Sequence, residues 1–104
     1  MAQVTWLSGA IADVEDICGF IAEESPRSAA TVARRLYAAA DRLFSFPASG
    51  RVVPEIDDED VREIIVGNYR VMYRILPNEV EVMTVVHGAR LFHKEKERLA
   101  KSDD

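Results

Sequence analysis

The chain has 104 residues, a formal net charge of -5 and a sequence pI near 5.0, with 48% hydrophobic and 30% charged residues. That length supports a genuine core but only one domain, expected to be residues 1–104, and the acidic balance argues against a chain whose main affinity is for nucleic-acid phosphates. No apolar run approaches the roughly 20 residues of a membrane span, the N-terminus lacks the basic-then-apolar order of a signal peptide, and the expected location is cytoplasmic.

A single cysteine, Cys18, excludes an internal disulfide. It falls inside a helical pattern and reads as a small buried apolar residue. Two histidines and one cysteine at unrelated spacing predict no metal site, and nothing in the chain calls for a cofactor.

In chain order, Gln3 to Leu7 alternates polar and apolar residues, with Val4 and Trp6 on one side, and predicts a short edge strand. Ser8 is the expected N-cap of a first helix, whose apolar positions Ile11, Val14, Ile17, Cys18, Ile21 and Ala22 recur at helical spacing. Asp13, Glu15 and Asp16 fall on its wetter side near the start, where the helix dipole favours acids. Gly19 costs roughly 1 kcal/mol against alanine in a helix interior, which predicts close approach by a neighbouring helix. Ser25 then caps a second helix and Pro26 suits its first position. The second stripe is Ala29, Ala33, Leu36, Tyr37, Ala40, Leu43 and Phe44, giving an antiparallel helix hairpin that ends at Phe46-Pro47. Arg34, Arg35 and Arg42 lie off the stripe as solubilising charge.

Residues 48–60 predict a connecting loop, with Ser49-Gly50 as a turn and Pro54 stopping any strand begun at Val52-Val53. Its acids Glu55, Asp57, Asp58, Glu59 and Asp60 lack the alternating ligand spacing of a calcium loop and are expected to be solvated.

From Val61 to Arg90 the chain reads as three strands and two tight turns, Gly67-Asn68 and Pro77-Asn78. Counting from the turns sets a register. Val66 opposes Tyr69 and Val86, Ile64 opposes Val71 and Thr84, Arg62 opposes Tyr73 and Val82, and Ile75 opposes Val80 on a mostly apolar face. The other face carries Ile65 with Arg70 and Val85, Glu63 with Met72 and Met83, and Val61 with Arg74 and Glu81. That mixed face is left to water or a partner. Arg74 opposite Glu81 reads as a cross-strand ion pair, Tyr69 and Tyr73 as packing residues whose hydroxyls reach an edge, and Arg62 as a rim residue facing the loop acids. Met72 and Met83, adaptable and apolar, suit a surface that receives a partner helix or strand. Leu91 to Lys101 predicts a short C-terminal helix with a solvated basic face of Arg90, Lys94, Lys96, Arg98 and Lys101. The fold class is α+β: strand, helix hairpin, three-stranded antiparallel meander, short C-terminal helix.

Taken together and in order, Gly50-Arg51, Arg62-Glu63, Tyr69-Arg70, Tyr73-Arg74 and His87-Gly88-Ala89-Arg90 resemble the ParE/RelE toxin superfamily over about the whole chain, closer to the ParE branch. The resemblance implies the toxin half of a bacterial type II toxin–antitoxin pair, silenced in a heteromeric complex by a cognate antitoxin whose disordered tail folds onto it. It also implies one of two activities. The RelE-like branch cleaves messenger RNA on the ribosome, whereas the ParE-like branch acts on DNA gyrase.

In the RNA-cleaving branch, lysines before the hairpin and a C-terminal aromatic join two arginines at the reacting phosphate, where cations stabilise charge and an acid or base moves protons. Arg70 and Arg90 match the arginines. The lysine positions hold Val61 and Glu63, and the aromatic position falls at or near Lys96. Glu63 lowers the positive potential beside Arg70, while His87, placed by parity on the same face, would serve as acid or base. The leading expectation is therefore a gyrase inhibitor with no catalytic residues and no direct nucleic-acid contact, meeting partners through Glu63, Arg70, Met72, Met83, Val85 and Arg90. The alternatives are a ribosome-dependent endoribonuclease using Arg70, His87 and Arg90, or an inactive toxin kept as an antitoxin-binding regulatory module.

Overall fold

The computed structural model describes residues 1–88; Arg90 and the expected C-terminal helix lie outside the described residues. Strand β1 (Gln3–Trp6) leads into helices α1 (Ser8–Ala22) and α2 (Pro26–Asp41), followed by β2 (Arg51–Val52), β3 (Val61–Val66), β4 (Tyr69–Leu76) and β5 (Glu79–His87). The sheet order is β1-β5-β4-β3-β2. β1 is an edge strand as its alternation predicts, and it runs parallel to β5, from Gln3 opposite Glu79 to Trp6 opposite Val82. Thr5 Oγ1 donates to Glu79 at 2.8 Å across that pair.

The helix hairpin covers one face of the sheet. Ala10, Val14, Leu36, Ala40 and Leu43 pack there on Ile64, Val71, Tyr73, Val80, Val82 and Val85. Neither helix is long and apolar enough to cross a membrane. Ser25 caps α2 as expected, its side chain accepting from the Ser28 amide at 3.1 Å, with Pro26 at the first helical position. At α1 the cap is one residue earlier: Leu7 holds the N-cap position in extended geometry and Ser8 already belongs to the helix. The Leu7 carbonyl takes the Ala10 and Ile11 amides, so the turn closes through the backbone without a side-chain cap. Gly19 also departs from expectation. A Cβ added there would meet nothing within 4 Å, so no close helix approach explains it.

Both hairpin turns form where predicted, and Gly67 takes a positive φ of 57° that a side chain would strain. The β3–β4 register is the predicted one along its whole length. The β4–β5 register agrees only near the Pro77-Asn78 turn, through Tyr73 opposite Val82. It then shifts, so that Met72 faces Thr84, Val71 faces Val85, Arg70 faces Val86 and Tyr69 faces His87. Met83 is the extra residue of a β-bulge, which counting from the turn cannot see. The physical cause lies on α1. The Asp13 carboxylate accepts both Thr84 Oγ1 at 2.5 Å and the Val85 amide at 3.1 Å, holding the bulge against the helix.

Because a one-residue slip exchanges faces, the assignments beyond the bulge change, beginning with Thr84, which stands opposite Met72 instead of Val71. Val85 joins the helix-side core, Val86 crosses to the other face, and His87 moves to the Tyr69 side.

The second sheet face is not open where expected. The segment between β2 and β3 folds over it, and Val53, Val61, Met72, Met83 and Val86 form a second buried cluster with Leu7 and Ile56 against it. Met72 is 0% and Met83 6% exposed, so burial against that cluster replaces the partner surface assigned to them. Arg62 donates to the backbone carbonyls of Glu59 and Gly50 rather than to a loop carboxylate.

Two glycines test this packing in opposite directions. Gly50 sits where a Cβ would lie 2.5 Å from the Glu63 carbonyl and 2.7 Å from the Tyr73 hydroxyl. Gly50→Ala should lower unfolding free energy by about 1–3 kcal/mol through overpacking, whereas Gly19→Ala should raise it by up to about 1 kcal/mol. Urea unfolding of the two variants beside the parent chain checks both signs.

Candidate functional site

On the sheet face away from the helices, the strand pairing fixes where three charges stand. Arg51 is directly opposite Glu63, and Arg70 is one diagonal step further, opposite Ile65 on β3. Same-face diagonal neighbours are within reach of long side chains. Arg51 Nε donates to Glu63 Oε2 at 2.5 Å, and Arg70 Nε donates to Glu63 Oε1 at 2.6 Å. The terminal nitrogens of Arg70 reach the loop instead, with Nη1 to Glu55 Oε2 and Nη2 to Glu55 Oε1, both at 2.8 Å. The result is an alternating line, Arg51, Glu63, Arg70, Glu55, whose formal charges cancel.

Burial makes this arrangement consequential. Glu63 is 1% and Arg70 5% exposed. An unpaired charge at such depth costs several kcal/mol, and the bidentate guanidinium–carboxylate fork is among the stronger ways to offset it. The hydrogen bonds from Arg70 hold the Glu55 carboxyl below its ordinary value of 4.5, and the Glu55 contact in turn pushes the guanidinium further up. Nearby, burial raises the Tyr73 phenol, whose hydroxyl donates to the Pro47 carbonyl at 2.7 Å and accepts from the Gly50 amide at 2.9 Å. An edge partner for that hydroxyl is what the sequence predicts.

Beside the charges is a cavity of about 430 Å³ lined by Arg51, Pro54, Glu55, Ile65 and Arg70, among others. Ile65 is 52% exposed, an apolar group at its mouth. A separate groove on the helix side holds His87 with Ile17, Phe20 and Ile21. There the His87 ring meets the Tyr69 ring edge-on at 5.3 Å.

Of the residues singled out from sequence, the structure therefore brings Glu63 and Arg70 together. It separates them from His87, which the bulge turns to the opposite face, and from Val85, which is core. Arg90 lies outside the described residues. The Arg70 guanidinium makes three hydrogen bonds to carboxylates, so a phosphate arriving there would first have to displace one. No group of His, Cys, Asp and Glu able to hold a metal occurs among the described residues.

Two members of the site went unseen in the sequence. Arg51 is placed by a two-residue strand too short to show periodicity, and Glu55 sits in an acidic run that reads as solvated loop. The spacing of Arg51 and Glu63 across a turn-containing loop carried no usable signal.

An antiparallel sheet with a helix hairpin on one face and a parallel first strand on its edge defines a small α+β domain of a recognisable type. Residues 4–92 match the family described as ParE toxin of type II toxin-antitoxin system, parDE, and the chain belongs to that family. It is 36% identical over 92 residues to Toxin RelE2 of Caulobacter vibrioides, covering 88% of this chain and all of that protein. It is 32% identical over 88 residues to Putative toxin Y4kP of Sinorhizobium fredii, covering 83% of this chain and 88% of that one. The fold is that of a chain from the chromosomal ParDE system of P. aeruginosa, with a TM-score of 0.71, 16% identity and coverage of 85% and 97% of the two chains. A chain of the RelBE2 toxin-antitoxin complex of Mycobacterium tuberculosis gives 0.52, 20% identity and coverage of 83% and 96%. The protein is a toxin of the ParE/RelE superfamily, as the sequence resemblance implies.

The Glu55–Arg70 fork predicts a pH dependence whose sign follows from the lowered carboxyl. A lowered folded value contributes stability that is present above the ordinary 4.5 and is lost as pH falls through the folded value. Glu55→Gln should be less stable than the parent by about 1–3 kcal/mol near neutrality. That difference should shrink toward zero on acidification below 4.5, measured by urea unfolding of both chains across the range.

Proposed function

We propose that this chain is a toxin of the ParE type, which inhibits DNA gyrase by protein–protein contact and is neutralised by a cognate antitoxin in a heteromeric complex in the cytoplasm. The observation that carries this reading is the state of Arg70. A phosphate-stabilising arginine needs its guanidinium directed at the reacting group with an acid or base close by. Arg70 is buried, its nitrogens bonded to Glu63 and Glu55, and His87 is on the other face of the sheet. That arrangement suits holding a surface in shape and does not suit proton transfer at a phosphodiester.

An antitoxin partner is supported by the ParDE system and the RelBE2 toxin-antitoxin complex among the structural relatives. For the described residues, the contact surface we favour is the mouth of the charged cavity, where Ile65 and Arg51 are exposed, in place of the buried Met72 and Met83. Glu63 and Arg70 then act as the rigid floor under it.

Purified toxin, freed of antitoxin, tested side by side on gyrase supercoiling and on ribosome-bound message decides the matter. The expected result is inhibited supercoiling, intact message, and no loss of inhibition in His87→Ala. Message cleavage that stops in His87→Ala, with gyrase untouched, overturns the proposal in favour of a ribonuclease. No effect in either assay, with normal growth on expression alone, overturns it in favour of an inactive antitoxin-binding module.

A further inference from the structure

Glu63 and Glu55 hold the same guanidinium in different ways. Glu63 belongs to the middle of β3, is paired on both sides and is fully buried. Glu55 reaches Arg70 from the segment after Pro54, where the Ile56 and Asp57 amides turn back onto the Val53 carbonyl and Asp57 takes a positive φ of 55°. Its side chain remains 19% exposed, and the cavity beside it opens past Ile65 and Pro54.

We infer that the outer fork of Arg70 is a carboxylate-binding site that Glu55 fills from within the chain, and that an acidic side chain of a protein partner takes its place. The exchange is physically cheap for a reason visible in the geometry. Arg70 Nε stays on Glu63 throughout, and one planar carboxylate replaces another on Nη1 and Nη2, so no buried charge is stranded.

Charge selects the ligand class. Arg51 and Arg70 balance Glu63 and one further single negative charge, which a carboxylate supplies. A phosphate dianion would leave the buried site net negative next to Glu63. The exposed Ile65 and Pro54 at the rim favour a partner in which the acidic residue is followed or preceded by an apolar one. The inference goes beyond the antitoxin and gyrase readings, since any protein partner with that chemistry satisfies it.

The test follows the Arg70 Nε–H resonance by NMR in the parent chain and in Glu55→Gln while glutarate or inorganic phosphate is added. In Glu55→Gln the Nε–H signal should persist, reporting an intact fold and Glu63 bond. Glutarate should then perturb it at concentrations about tenfold or more below those needed in the parent, equivalent to at least about 1.4 kcal/mol, with phosphate weaker than glutarate. Equal glutarate response in the two chains overturns the inference, and so does a stronger response to phosphate. Should Glu55→Gln lose the Nε–H signal, Glu55→Asp serves as the second variant. Its shorter side chain should weaken the fork and again lower the glutarate concentration required, and an unchanged requirement overturns the inference. Neither outcome depends on antitoxin or gyrase, so this test and that of the proposed function can fail independently.

Discussion

The structure depends on one buried carboxylate. Glu63 stands in the middle of β3 at 1% exposure and accepts from Arg51 on one neighbouring strand and from Arg70 on the other. Remove it and Arg70 keeps a desolvated charge with half its compensation, while the two-residue β2 loses the Arg51–Glu63 ion pair that ties it to β3. With β2 in place, Gly50 is drawn onto the Tyr73 hydroxyl and the chain that follows is laid across the sheet, where Val53 and Ile56 complete the second cluster. Electrostatics on this face thus decide which apolar residues are buried beneath it.

The opposite face is governed by a second carboxylate. Asp13 on α1 accepts from Thr84 and from the Val85 amide, and so fixes a bulge of one residue at Met83. That single extra residue turns His87 toward the helices and away from Arg70. The two side chains that a nuclease reading would join are divided by the sheet because of a hydrogen bond made some seventy residues away in sequence. Family membership does not undo this division. The relatives include proteins named for both branches, so membership by itself does not choose between them.

Much of the architecture was legible because it rests on local chemistry. Gly67-Asn68 and Pro77-Asn78 announce their turns, Ser25-Pro26 announces a helix start, and the β3–β4 register follows from a two-residue loop. What failed was long-range in origin. The Met83 bulge answers to Asp13, the coverage of Met72 answers to a loop with little periodicity, and no local pattern reports that Gly19 faces open space. The site divides in the same way. Glu63 and Arg70 could be put on one face by counting along a hairpin, and their mutual effect was foreseeable. Arg51 and Glu55 arrive through a two-residue strand and an acidic loop, and only the folded chain shows that they close the line of charges at both ends.

The central claim is that Arg70 is a locked structural cation coupled to Glu63. A double-mutant cycle on Glu63→Gln and Arg70→Met, read by urea unfolding at neutral pH, tests it most directly. Each single substitution leaves a buried charge with only one of its two partners, Glu55 for Arg70 and Arg51 for Glu63, and the other substitution removes that charge, so the account predicts a double variant less destabilised than the sum of the singles by about 1–3 kcal/mol. Additive losses, with coupling under about 0.5 kcal/mol, would contradict it.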